Sequence, residues 1–218
     1  MDSKMIYGLK LGLRILAIVI LFVGSGSIAN SATPINLSPE QIESVNKISA
    51  YMNSFMTLQG EFKQIGPTGR VSKGQMFLSK PGKLRFDYAA PNPFLLVSDG
   101  LWVTFKNRAK EKGDQFPLAT TPLRLVVSEQ IDLLQETKVV GYESADGITS
   151  VVLEERDGLL GGQIMLVFDE MQNVLQQWVI IDGKGRRTTV ELANLVTGVD
   201  IDPKLFIVKI KRKEKSNR

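Results

Sequence analysis

From residue 58 onward the chain is cut into short runs by turn-forming residues, and within the clearest run the side chains alternate strictly. Lys83-Leu84-Arg85-Phe86-Asp87-Tyr88 places Leu84, Phe86 and Tyr88 on one side and three charges on the other. Only an extended strand with one buried face accommodates that period of two. Similar runs are expected over residues 58–65, 70–79, 94–98, 101–106, 137–144, 148–155, 163–168, 174–181 and 186–194. The intervals hold Gly66-Pro67, Pro81-Gly82, Asp99-Gly100, Asp146-Gly147, Asp157-Gly158, residues 170–173 and Asp182-Gly183-Lys184-Gly185. These are turn sequences, and connections this short join antiparallel neighbours.

Two stretches break the pattern. Ser38-Pro39-Glu40-Gln41 combines a capping Ser, Pro at the first helical position and Gln three residues after the cap, which together open a helix. Ile42, Val45, Ile48, Met52 and Phe55 follow at spacings of three and four, so a single stripe must be buried against something. Thr121-Pro122 then introduces Leu123, Val126, Val127, Ile131 and Leu134, a second short helix or pair. Helices together with many antiparallel strands give an α+β domain, one large curved sheet with helices on one face.

Several chemistries are closed off. The chain has no Cys and no His, which removes thiol catalysis, the commonest general base and the commonest metal ligand. The carboxylates are scattered, and no catalytic constellation, cofactor motif or metal-binding spacing emerges, so no enzymatic activity is expected. Residues 182–185 resemble a fragment of a glycine-rich phosphate loop. They lack its full spacing and do not feed a helix, so a hairpin turn is expected.

The ends carry their own signals. Lys4, Lys10 and Arg14 precede nine unbroken apolar residues, 15–23, and then a small-residue stretch ending Ala29-Asn30-Ser31-Ala32. This is the order of a secretory signal peptide, with cleavage after Ser31 or Ala32. As a membrane anchor the apolar run is short of the roughly 20 residues a spanning helix needs. The net charge of +4 falls mainly at the termini: +2 in residues 1–31 and +5 in residues 209–218 leave −3 between them. A basic tail reads either as a binding element for nucleic acid or membrane surfaces or as a solvated, disordered end. The second is expected. The domains are therefore a leader (1–31), one folded body (32–208) and a tail (209–218).

The apolar sheet face is the unusual feature. Met76, Leu78, Leu84, Phe86 and Tyr88 stand at alternate positions, and Leu95, Val97, Leu166, Phe168, Trp178 and Ile180 extend the supply. Periodicity alone fits either an ordinary core beneath helices or a cavity that the chain's own side chains leave unfilled.

Residues 74–88, built around Lys80-Pro81-Gly82 and ending Phe86-Asp87-Tyr88, resemble the signature of the outer-membrane lipoprotein carrier family (LolA type). So do Pro91, Leu96-Val97-Ser98-Asp99-Gly100, Phe116-Pro117-Leu118, Thr121-Pro122-Leu123-Arg124, residues 178–192 and Asp202-Pro203-Lys204-Leu205-Phe206. The likeness runs over about residues 38–206, and it lies in the order and spacing of the segments together. It implies an incomplete, half-open antiparallel β-barrel whose open side is closed by helices acting as a lid. It further implies a monomeric periplasmic carrier that takes acylated lipoproteins from an inner-membrane lipoprotein-releasing ABC transporter to an outer-membrane receptor. The acyl-chain cavity would then be lined by Met76, Leu78, Leu84, Phe86, Tyr88, Leu95, Val97, Phe168, Trp178 and Ile180. The lid would comprise Ile42, Val45, Ile48, Met52, Phe55, Leu123, Val126 and Val127. Neither a cofactor nor nucleic acid has a part in that function. The family's usual Arg before the Pro-Gly turn, a latch onto helix carbonyls, is Lys80 here, a point donor without the planar fork. Lys80 is thus either a modified latch or an ordinary turn residue. Two other functions remain open: a related periplasmic lipid- or lipoprotein-binding sensor that does not hand cargo on, and a carboxylate-based hydrolase, which would need a cluster of buried acids.

Overall fold

Eleven antiparallel strands form a single sheet in the order β6-β5-β4-β3-β2-β1-β11-β10-β9-β8-β7. The computed structural model describes residues 33–156 and 162–210, all within one unit, residues 31–218. The expected leader, the Asp157-Gly158 turn and residues 211–218 of the expected tail lie outside the described residues.

The chain enters through helix α1 (Pro39–Asn53), whose capping box forms as the sequence predicts. The Ser38 hydroxyl accepts from the Gln41 amide, and the Gln41 side chain accepts from the Ser38 amide. Six strands follow as a meander: β1 (Thr57–Ile65), β2 (Val71–Ser79), β3 (Lys83–Tyr88), β4 (Phe94–Asp99), β5 (Trp102–Asn107) and β6 (Gly113–Pro117). The short helices α2 (Leu123–Val127) and α3 (Leu133–Glu136) cross over. A second meander then runs through β7 (Thr137–Ala145), β8 (Ile148–Glu155), β9 (Gln163–Asp169), β10 (Val174–Ile181) and β11 (Arg187–Thr197). β11 pairs with β1, from Leu58↔Thr197 to Ile65↔Thr189, so the two meanders join at the middle of the sheet. Its edges are β6 and β7, and the sheet is not closed.

β6 was not expected. Its residues are exposed or half-buried, so no apolar alternation marks it. Backbone pairing to β5, Trp102↔Pro117 through Lys106↔Gly113, creates it. The Asp146-Gly147 hairpin behaves as its composition demands: Ala145 pairs with Ile148, and both loop residues take positive φ (52° and 78°), the geometry of a type I′ turn.

The sheet is strongly curved. Four inter-strand steps separate β3 from β10, about 19 Å on a flat sheet at the usual spacing. Yet the rings of Phe86 on β3 and Trp178 on β10 lie 6.0 Å apart. The concave face carries the main core with the helices on top. The convex face carries a smaller cluster, Leu95 and Val97 under Ile201 and Phe206, where residues 199–208 lie across β3 and β4.

Candidate functional site

Alternation in β2 and β3 aims Met76, Leu78, Leu84, Phe86 and Tyr88 into the concavity, each at most 6% exposed. Phe168 and Leu166 of β9 and Trp178 of β10 face them from the other meander, equally buried, and half-buried Ile180 packs against the same cluster. A β-bulge between Leu175 and Gln177 lets Leu175 and Trp178 both turn inward despite their spacing of three. Aromatic rings knit the two halves. Phe86 meets Trp178 across them at 6.0 Å and Tyr51 of α1 touches Phe168 at 5.5 Å, while within the first meander Phe62 meets Phe86 edge-on at 4.6 Å and Tyr88 at 5.1 Å.

Leu95 and Val97 do not belong to this lining, which corrects the sequence expectation. Phe86 pairs with Leu96 and Arg85 with Val97, so the register turns Leu96 inward and its two neighbours outward onto Ile201 and Phe206. In Phe94-Leu95-Leu96-Val97 every residue is apolar, and the run conceals which face is which. Arg85, on the convex side, donates to the Leu205 carbonyl (2.9 Å) and pairs with Asp87 (2.7 Å).

The helices cover the concavity with Val45, Ile48 and Met52, together with Leu123, Leu125, Val126 and Val127, and Phe55 adds to this cover from just past the end of α1. Ile42 is a second correction, since it is 39% exposed. It lies about 70° from the centre of the arc formed by the buried residues 45, 48, 49 and 52 at 3.6 residues per turn.

Hydrogen bonds at chain ends hold the helical layer together and to the sheet. The β2–β3 turn binds two helices at once. Lys80 Nζ donates to the Met52 carbonyl in the last turn of α1, the Lys80 amide donates to the Met56 carbonyl (2.8 Å), and the Gly82 amide donates to the Val127 carbonyl of α2 (2.8 Å). Such carbonyls have no partner within their own helix, and a cation there also meets the negative end of the helix dipole. The ammonium lies 4.7 Å from the centre of the Phe55 ring, and burial pulls its pKa down to about 8. Asn53 binds the Ile131 backbone twice, at 2.9 Å each, and the Ser49 hydroxyl accepts from the Leu133 amide. Arg124 of α2 pairs with Glu155 of β8 and, at 3.6 Å, with Glu136 of α3. Arg156 donates to the Leu134 and Gln135 carbonyls.

Polar chemistry in the site is sparse. The Tyr88 hydroxyl donates to Gln64 (2.7 Å), and burial pushes its pKa up to about 12. Glu155 and Asp169 are the buried carboxylates among the described residues. They stand at opposite ends of the β8–β9 hairpin, and each has partners: Arg124 for Glu155, the Gln172 amide and Gln176 side chain for Asp169. No group of metal-ligating side chains occurs among the described residues. Residues 182–185 form a hairpin turn in which the Asp182 carboxylate accepts from the Lys184 and Arg186 amides.

Sequence reasoning passed over Phe62, Leu125 and Asn53. Phe62 could have been found, because Leu58 and Phe62 share one parity in β1 and both are buried. Nothing local marks Asn53, whose partner lies 78 residues away.

The family model described as outer membrane lipoprotein carrier protein LolA matches residues 53–209, a span that holds all eleven strands. The outer-membrane lipoprotein carrier protein of Methylococcus capsulatus is 28% identical over 172 residues, covering 74% of this chain and 81% of that one. That of Xylella fastidiosa is 31% identical over 155 residues, covering 66% and 72%. Among solved structures, a LolA superfamily protein from Nitrosomonas europaea aligns with 79% of this chain and 99% of its own at a TM-score of 0.44 and 8% identity.

Proposed function

Because the chain belongs to the outer-membrane lipoprotein carrier (LolA) family, we propose that it is a periplasmic carrier that shields lipoprotein acyl chains between the inner and outer membranes. The observation that carries this reading is the continuous apolar face that bends from β3 round to β10 beneath helices tied down at their ends. In this reading the sheet is a half-open barrel and α1, α2 and α3 are its lid.

Exposing one chain of about 16 carbons to water costs on the order of 12 kcal/mol at roughly 0.8 kcal/mol per methylene. A carrier needs apolar surface to offset that cost and must still let go. Side chains such as Met76, Phe86 and Leu166 offer contact without direction, so they hold a chain without ordering it. The lining is shielded in this structure, so a chain enters as the lid lifts, replacing contacts between lid and sheet with contacts to itself. Lid opening and cargo binding are then linked equilibria, and cargo shifts the population toward the open form. The chemistry asks for no covalent step. An inner-membrane transporter as donor and an outer-membrane receptor as acceptor complete the proposed route.

The test is extraction. Purified protein incubated with inner-membrane vesicles should bring an acylated lipoprotein into a soluble complex and leave behind the same cargo with its acylated Cys replaced by Ser. Absence of any soluble complex would overturn the carrier function. A complex that forms but never yields its cargo to outer membranes would identify a lipoprotein-binding domain that does not pass it on.

A further inference from the structure

Trp178 faces the concavity from β10, with Leu166 and Val190 as its strand neighbours on either side. It is 1% exposed, and its indole Nε1 finds no hydrogen-bond partner among the described residues. No other buried side-chain polar atom among the described residues lacks a partner: the Tyr88 hydroxyl has Gln64, Ser49 has Val45 and Leu133, Thr137 has Leu133, and Thr149 has Ser144 and Glu170. The Phe86 ring, nearly perpendicular at 82°, is a weak acceptor at best. A buried donor left unmade is unfavourable, and buried Trp N–H groups ordinarily have a partner. Phe or Leu at this position would line the face without that penalty.

We propose that the Trp178 indole N–H is the polar anchor of the cargo site, donating to a neutral carbonyl oxygen at the head of a bound acyl chain. This rests on the carrier reading above. A hydrocarbon chain has no acceptor along its length, and the first one it presents is the carbonyl that links it to its headgroup, as ester or amide. One unpartnered donor among the described lining residues matches a ligand with one neutral acceptor per chain. A fatty carboxylate fits less well, because its charge would enter a water-excluded face. The anchor fixes where the head of a chain sits, and the hydrocarbon runs from there along the apolar face.

The experiment compares three probes of equal chain length: glycerol bearing two hexadecanoyl esters, its dihexadecyl ether analogue, and an ether analogue carrying one N-hexadecanoyl amide. The protein should bind a carbonyl-bearing probe about 3- to 10-fold more tightly than the all-ether probe, the yield of one neutral hydrogen bond. Preference in the ester arm or the amide arm identifies the linkage recognised. The chain has two Trp residues, and Trp102 is 43% exposed, so the buried indole proton is separately visible by NMR. It should move downfield with the carbonyl probe and stay in place with the ether. In Trp178→Phe the affinity ratio of either carbonyl probe to the ether should fall to about 1, whatever the change in affinity for the ether itself. Equal affinity for all three probes with an unmoved indole resonance would overturn the anchor while leaving the carrier intact. Failure of every probe to bind would overturn both.

Discussion

Lys80 is a cation where water is scarce, held against a helix carbonyl and an aromatic face. Its pKa falls from 10.5 to about 8 in the folded protein, whereas an unfolded chain leaves the ammonium hydrated at its ordinary value. Between those limits the unfolded state binds more protons than the folded one, so Lys80 makes stability rise with pH across that window, and below about pH 8 its desolvation penalty is fully present. Lys80→Arg, which stays charged, should lose that slope. Urea unfolding of both proteins at pH 7, 8.5 and 9.5 checks this, and parallel curves would show that Lys80 does not titrate there. Gly74 answers to a different physics. A Cβ at this position would stand 2.1 Å from the Asp87 carbonyl oxygen and 2.8 Å from the Phe62 ring. Backbone cannot yield as a side chain does, so Gly74→Ala should cost about 2–3 kcal/mol in urea unfolding. An unchanged midpoint would mean that β2 and β3 can separate freely.

At the scale of elements, the helices depend on contacts with each other. α2 and α3 are five and four residues long, far too short to persist alone. They form because Ser49, Gly82 and Arg156 occupy their exposed backbone groups, and Asn53 fixes Ile131 just ahead of α3. Asn53→Ala strands the Ile131 amide and carbonyl at a cost of about 1–3 kcal/mol. Amide exchange in α1 and residues 131–136 should speed by about tenfold for each 1.4 kcal/mol lost, with β1 and β11 unaffected. If exchange accelerated equally in the central strands, the helices would not open as a separate unit and the lid mechanism would fail. Loss of the Ser38 cap in Ser38→Ala should cost only about 1 kcal/mol.

The two meanders are joined at the middle of the sheet by the pairing that lies furthest apart in sequence, β1 with β11. Removing residues 187–210 would therefore separate the meanders and withdraw the convex cover of Leu95 and Val97, leaving two half-sheets with bare edges and half a core each. Such a truncation should give no cooperative unfolding transition by circular dichroism. A cooperative transition would mean that one meander folds alone. The natural edges are managed differently. At the β7 edge the Ile35 amide donates to the Val139 carbonyl, so the segment ahead of α1 occupies part of what would otherwise be free template for another strand.

Local physics alone settles much of this protein. Strict alternation makes β3, Asp-Gly makes the β7–β8 hairpin, and Ser38 with Gln41 starts α1, because each depends on backbone preferences acting over a few residues. The concave lining was legible wherever charge alternates with apolar side chains, as from Leu84 to Tyr88. It was illegible at Leu95 to Val97, where both faces are covered and a residue's parity shows only once β3 supplies the register. β6 has no buried face and exists through its neighbour's hydrogen bonds. Contacts such as Asn53 with Ile131, Lys80 with Met52 and Phe86 with Trp178 arise only when the curving sheet brings distant segments together, so the three-dimensional packing decides them.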